Sequence, residues 1–85
     1  MRLDKFLKVS RLIKRRPVAK EACDTGRVTI NGKVSKAGAE VKVDDIIEIE
    51  YASKKVRARV LEIRQTVRKD EAVSLYEILE GAEIE

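Results

Sequence analysis

Apolar residues follow a helical spacing at the start of the chain, a two-residue alternation through its middle, and a helical spacing again near its end. Leu3, Phe6, Leu7 and Ser10 fall at i, i+3, i+4 and i+7. This predicts a short first helix with Lys5 and Lys8 turned away from its apolar stripe. Pro17 suits the first turn of a second helix, Pro17 to Thr25, which would bury Val18, Ala19, Ala22 and Cys23; Gly26 falls just past its C-terminus. Arg11 to Arg16 becomes a basic connector anchored by Leu12 and Ile13, so the two helices form a compact helix-turn-helix-like unit.

Beyond Gly26 the period changes to two. Val28 and Ile30 lead into Asn31-Gly32, a strong short-range hairpin signal, followed by Lys33-Val34. Gly38 and Asp44-Asp45 mark further turns. Alternation returns at Ile47, Ile49 and Tyr51 and again at Val56, Ala58 and Val60, which predicts an antiparallel hairpin through Ala52 to Lys55. Val60 and Leu61 are adjacent apolar residues, so a bulge is expected there before Ile63 resumes the pattern. Ala72, Leu75, Tyr76 and Leu79 return to helical spacing, predicting a closing helix over 71–79 that Gly81 stops. The expected class is α+β: two N-terminal helices packed on a small, mostly antiparallel sheet, with a short C-terminal helix. No repeat or Pro/Ser-rich linker interrupts the chain, so residues 1–85 are expected to form a single domain.

Charge changes this picture from a fold to a candidate binder. The first 36 residues hold eleven Lys or Arg against three acids, a local net charge of +8, whereas the remaining eight bases face twelve acids, giving −4. Positive charge concentrated on one part of a domain attracts phosphate, because neutralising a polyanion releases condensed counterions. Nucleic acid is therefore the first expected partner. The chemistry of an enzyme is poorly represented: there is no histidine, no nucleophile-base pairing and no Gly-rich phosphate loop. No cofactor is expected. One cysteine and no histidine make neither an internal disulfide nor a Cys/His zinc site, so no metal is expected either. No apolar run approaches the ~20 residues of a membrane span. The opening Met1-Arg2-Leu3-Asp4 lacks the layout of a secretory signal, so a cytoplasmic protein without a membrane partner is expected.

The candidate RNA-binding residues are Arg2, Lys5, Lys8, Arg11, Lys14, Arg15, Arg16, Lys33 and Lys36, with Arg2 and Arg16 foremost. A solvated charge run is the ordinary fate of such residues. Here they share one sign and one two-helix unit, so their fields add, and arginine can grip a phosphate through two parallel hydrogen bonds. Asp4 is the exception in this segment, expected as a helix cap or as the partner of Arg11 or Arg15. Asn31 and Gly32 are explained by the positive φ that a type I′ turn requires. Phe6, Leu7, Leu12 and Tyr51 are expected in the core, as is Cys23, while Lys54, Lys55, Arg57 and Arg59 form a second basic cluster, solvated or a weak auxiliary contact.

The ordered pieces Arg2-Leu3-Asp4-Lys5-Phe6-Leu7, Ser10-Arg11-Leu12, Lys14-Arg15-Arg16, Ala19, Gly26-Arg27-Val28 and Ile30-Asn31-Gly32-Lys33 closely resemble the S4 RNA-binding domain, or alpha-L RNA-binding motif, over about residues 1–50. The string Arg-Gln-Thr-Val-Arg-Lys at 64–69, with Ala72, Leu75 and Tyr76, is similar to the small heat-shock-protein-fifteen-like group, and Met1 to Arg16 is closest to the factors of bacterial ribosome-associated quality control. Asp44-Asp45 departs from the Gly-Asp common in relatives. The resemblance implies a monomeric binder of large-subunit rRNA and peptidyl-tRNA on the stalled large ribosomal subunit. There it would hold the tRNA in the P site beside the quality-control tailing factor while alanine tails are added. It also puts the Asn31-Gly32 hairpin, with Lys33 and Lys36, on the RNA-facing side. From the residues alone two other classes stay open: a DNA-binding helix-turn-helix regulator, and a ribosome-anchored adaptor working through its acidic C-terminal half.

Overall fold

The computed structural model describes residues 1–51 and 53–81. The first helix, α1, is Leu3–Val9, and its stripe lies against the core: Leu3, Phe6 and Leu7 are buried, and Ser10, which ends it, is buried too. The Ser10 hydroxyl donates to the Leu7 carbonyl at 3.2 Å and accepts the Leu12 amide at 3.4 Å, so burial leaves it satisfied. The second helix, α2, is Arg16–Asp24 with Pro17 in its first turn and Ala19, Ala22 and Cys23 inside. Its end is a Schellman cap: Gly26 has φ +76° and donates to the Cys23 carbonyl, while the Arg27 amide reaches back to Ala22. Between the helices Leu12 and Ile13 are buried anchors, as their apolar character predicts.

Among the described residues the sheet has five strands: β1 (Val28–Ile30), β2 (Lys33–Val34), β3 (Ile46–Tyr51), β4 (Lys54–Val60) and β5 (Tyr76–Glu80). They lie in the order β2-β1-β3-β4-β5, and every pairing is antiparallel. Ile30 pairs with Lys33, leaving Asn31-Gly32 as a two-residue loop with φ +53° and +83°, the type I′ geometry the dipeptide predicts. Along β4, Val56, Ala58 and Val60 are buried while Lys55, Arg57 and Arg59 are exposed, so one face meets the helices and the other meets water. The N-terminus is tied across the molecule: Leu3 and Asp4 donate to the Ala39 and Ala37 carbonyls, and Val41 donates to Met1.

Three local expectations are corrected. The closing helix is a 3-10 helix of Lys69–Leu75, and the second half of the expected segment is strand β5. The 3.6-residue spacing of Leu75, Tyr76 and Leu79 competes there with an unpaired edge of β4, and pairing of Arg57 to Val60 with Glu80 to Tyr76 satisfies that edge. The Val60-Leu61 step is not a bulge: β4 ends at Val60, and the Leu61 amide turns to the Leu75 carbonyl. The irregularity falls instead between Arg57 and Ala58 in the β4–β5 pairing. Ile63 is half-buried but lies outside any strand. The expectation for the Tyr51 side chain, and Ala52 of the hairpin turn, lie outside the described residues.

Candidate nucleic-acid interface

The basic helix pair is organised around one buried carboxylate. Asp4 sits in the first turn of α1 with 2% of its surface exposed. Its Oδ1 accepts the Lys5 amide at 2.8 Å and Arg2 Nε at 3.1 Å, and its Oδ2 accepts Arg2 Nη2 at 3.4 Å and Arg16 Nε at 3.4 Å. Burial alone would push this carboxyl up, but the hydrogen bonds and charges of Arg2 and Arg16 outweigh it and hold the group below its ordinary value. The expected partners Arg11 and Arg15 are replaced by Arg2 and Arg16. Arg16 opens α2 with Pro17 beside it in the first turn, and the bridge to Glu40 fixes Arg2, so the fold brings these two residues to one acid. About half of each arginine side chain remains exposed, leaving guanidinium edges for a phosphate.

Lys5, Lys8, Arg11 and Arg16 line one cleft with Val9, Gln65, Thr66 and Val67, enclosing about 440 Å³. Lys5 Nζ donates to Gln65 Oε1 at 2.6 Å and joins the two walls. Lys14 and Arg11 line an adjoining depression of about 220 Å³ with Ser10, Lys69, Ala72 and Val73. Arg15 is the exposed residue preceding α2. Lys33 on β2 and Lys36 after it are exposed and line neither cleft. Among the described residues, Lys8, Arg11, Arg15, Lys33 and Lys36 form no ion pair. Gln65, Thr66, Val67 and Lys69 were absent from the candidate set drawn from charge. Their signal was the 64–69 string, which marks family likeness but carries no periodicity that would place it beside α1.

The second basic cluster behaves differently. Arg59 pairs with Glu77 at 2.8 Å, Arg57 with Glu80 at 3.9 Å and Lys55 with Glu48 at 3.4 Å, all across neighbouring strands. The Asn31 side chain also has work beyond its turn, donating to Asp45 at 3.0 Å and accepting the Ile46 amide at 2.9 Å, which locks the hairpin to the 42–46 loop. Cys23 is buried, and desolvation, helped by the charges of Asp4 and Asp24, pushes its thiol up to about 11. A thiol so raised is a poor nucleophile at neutral pH, in keeping with a small core residue.

Two short helices with a basic face, packed on a small antiparallel sheet, have the α+β architecture of the alpha-L class. The S4 domain profile matches residues 1–47. The chain is 56% identical over 78 residues to the RQC P-site tRNA stabilizing factor of Halalkalibacterium halodurans, covering 92% of this chain and 89% of that protein. It is 46% identical to the factor of the same name from Streptococcus pneumoniae, covering 100% and 97% of the two chains. The trimeric structure of Vibrio cholerae Heat Shock Protein 15 superposes with a TM-score of 0.84 at 28% identity, covering 92% of this chain and 80% of that one. The chain belongs to the S4 domain family of RNA-binding proteins, within the group that holds these factors.

Proposed function

We propose that this protein is a non-enzymatic RNA-binding factor of ribosome-associated quality control, acting in the cytoplasm as a monomer through a single domain spanning residues 1–85. It docks on the rRNA of a stalled large ribosomal subunit and stabilises peptidyl-tRNA in the P site while a tailing factor adds C-terminal alanines. The observation that carries this reading is the cluster of exposed cations on and beside α1 and α2, in a chain 56% identical to a P-site tRNA stabilizing factor: Arg2 and Arg16 share one buried acid, Asp4, and stay about half exposed, while Lys8 and Arg15 have no ion-pair partner among the described residues. Its action is bridging. Arg2, Arg16, Lys8 and Arg15 grip phosphates of structured RNA, whose deep, narrow major groove suits recognition by shape and backbone. The tRNA is then held longer without any covalent step. Lys33 and Lys36, on the hairpin away from the cleft, supply a second contact to the same RNA assembly.

The test is co-sedimentation of wild-type and Arg16→Ala protein with empty large subunits, large subunits carrying peptidyl-tRNA, and intact ribosomes. Arg16-dependent binding selective for the tRNA-loaded large subunit is expected. Equal binding to all three, or preference for duplex DNA added as competitor, would overturn the assignment.

A further inference from the structure

The cleft beside α1 has walls of different chemistry. One carries Lys5, Lys8, Arg11 and Arg16; the other carries Gln65, Thr66 and Val67, with the half-buried Val9 between them. Gripping a phosphate backbone requires only the first wall. The amide of Gln65, the hydroxyl of Thr66 and the valines at 9 and 67 add hydrogen-bonding and apolar surface, and the volume of about 440 Å³ falls within the range of small-molecule sites. The Lys5 bond to Gln65 Oε1 occupies that side chain's acceptor and leaves its amide hydrogens available to a ligand.

Arg11 adds an independent sign. It follows the C-cap of α1 with φ +64°, a left-handed conformation that glycine adopts without a Cβ penalty and that arginine does not. Strain kept at a residue lining a cleft, where glycine would serve the turn better, marks a side chain retained for binding.

We propose that this cleft is a nucleotide subsite: it takes one unpaired nucleotide of the bound RNA, with the phosphate on Lys8, Arg11 and Arg16. The base lies against Val9 and Val67, with its edge at Gln65 and Thr66. Unstacked bases are the usual targets of sequence-selective RNA recognition, so the subsite adds a base preference to a module that otherwise reads shape. The inference deepens the RNA-binding function proposed above and rests on it.

The experiment is an amide-resolved NMR titration of the full chain with each of the four nucleoside 5′-monophosphates, and with inorganic phosphate at matched ionic strength. Wild type is compared with Arg11→Gly and Gln65→Ala, and all three are also sedimented with peptidyl-tRNA-loaded large subunits. Nucleotides should shift the amides of Val9, Thr66 and Val67 and bind at least fivefold more tightly than phosphate. Arg11→Gly should melt at the same or a higher temperature yet bind nucleotide at least threefold more weakly, and Gln65→Ala should narrow the spread among the four bases. Equal affinity for phosphate and nucleotides would overturn the subsite and leave a plain anion site. A fall in melting temperature or undiminished nucleotide affinity in Arg11→Gly would overturn it as well. If nucleotides leave the cleft amides unmoved while subunit binding remains Arg16-dependent, the subsite fails and the function stands; loss of subunit binding by the wild type removes both.

Discussion

The helix pair and the β4–β5 ribbon each carry a run of bases, but their acids are placed differently. On the ribbon, Arg59 faces Glu77 and Arg57 faces Glu80 at directly opposed register positions, and Lys55 reaches Glu48 on β3. Each of these three positive charges is matched within 4 Å by a negative one, so little of their field survives beyond a Debye length of about 8–10 Å. On the helix pair, Asp4 serves both Arg2 and Arg16, and Lys8, Arg11 and Arg15 have no ion-pair partner among the described residues. The same residue types therefore stabilise a sheet surface in one place and form a field for a polyanion in the other. Placement of acids, rather than the count of bases, separates the two.

The largest effect expected from this contrast is on RNA binding. Arg16→Ala should weaken association with tRNA-loaded large subunits by at least tenfold, and Arg59→Ala by less than twofold, in the same sedimentation or fluorescence titration. The salt dependence should divide the same way: each lost phosphate contact lowers the slope of log K against log salt by roughly 0.7–0.9, so Arg16→Ala should flatten it and Arg59→Ala should not. Equal losses would mean that the ribbon is part of the interface and that its ion pairs open on binding.

Asp4→Asn tests the other half of the comparison, the single acid beneath the basic surface. Asparagine keeps the shape but removes the charge that holds Arg2 and Arg16, and it sets an amide group where only an acceptor fits. A loss of about 1–2 kcal/mol in unfolding free energy is expected, from charge-assisted hydrogen bonds partly screened at the exposed arginines. RNA binding should fall several-fold although the net positive charge rises by one. Because the Asp4 carboxyl is held below its ordinary value in the folded state, its stabilisation is present above the unfolded pKa of about 3.9 and disappears as pH falls through the lowered value. Acid unfolding profiles of wild type and Asp4→Asn should thus converge below about pH 4. A variant that bound RNA more tightly would show that charge alone, not the fixed arginine pair, sets affinity.

The reverse manipulation creates a free field on the ribbon. Glu77→Gln with Glu80→Gln releases Arg59 and Arg57 while keeping β5 paired, at a stability cost of about 1 kcal/mol or less for two surface ion pairs. Nonspecific binding to a random RNA should rise two- to fivefold at low salt, without selectivity for tRNA-loaded subunits. No change would show that cross-strand acids are not what silences this face.

Much of this comparison was legible in the sequence, and the parts that were not share a cause. The heptad-like Leu3, Phe6, Leu7, Ser10 stripe, Pro17, Gly26 and Asn31-Gly32 act through local spacing and backbone geometry, so they placed α1, α2 and the first hairpin. The meeting of Asp4 with Arg16, twelve residues on, and of Arg57 and Arg59 with Glu80 and Glu77 depends on tertiary register. No local pattern encodes it. Strand β5 was missed for the same reason: Tyr76 to Glu80 has helical spacing, and only the open edge of β4 makes it a strand. Gln65, Thr66 and Val67 were invisible to a search by charge because their part in the cleft comes from the path of the chain after β4.

The smallest effect concerns a turn that serves neither basic region and should therefore leave both untouched. Asp44 has φ +76° and donates its amide to the Val60 carbonyl, closing the loop before β3 onto the end of β4. The backbone needs this conformation whatever residue stands there, and an L side chain pays a steric cost that glycine does not, although aspartate tolerates it better than most. Glycine gives back part of the gain through the greater freedom of its unfolded chain. Asp44→Gly should therefore raise unfolding free energy by about 0.5 kcal/mol, a rise of roughly 2–4 °C in melting temperature for a chain of this size. Its affinity for tRNA-loaded subunits should remain within twofold of wild type. A change in binding larger than the change in stability would mean that the 42–46 loop, which Asn31 clamps to the first hairpin, transmits its position to Lys33 and Lys36, extending the RNA-facing region beyond the helix pair.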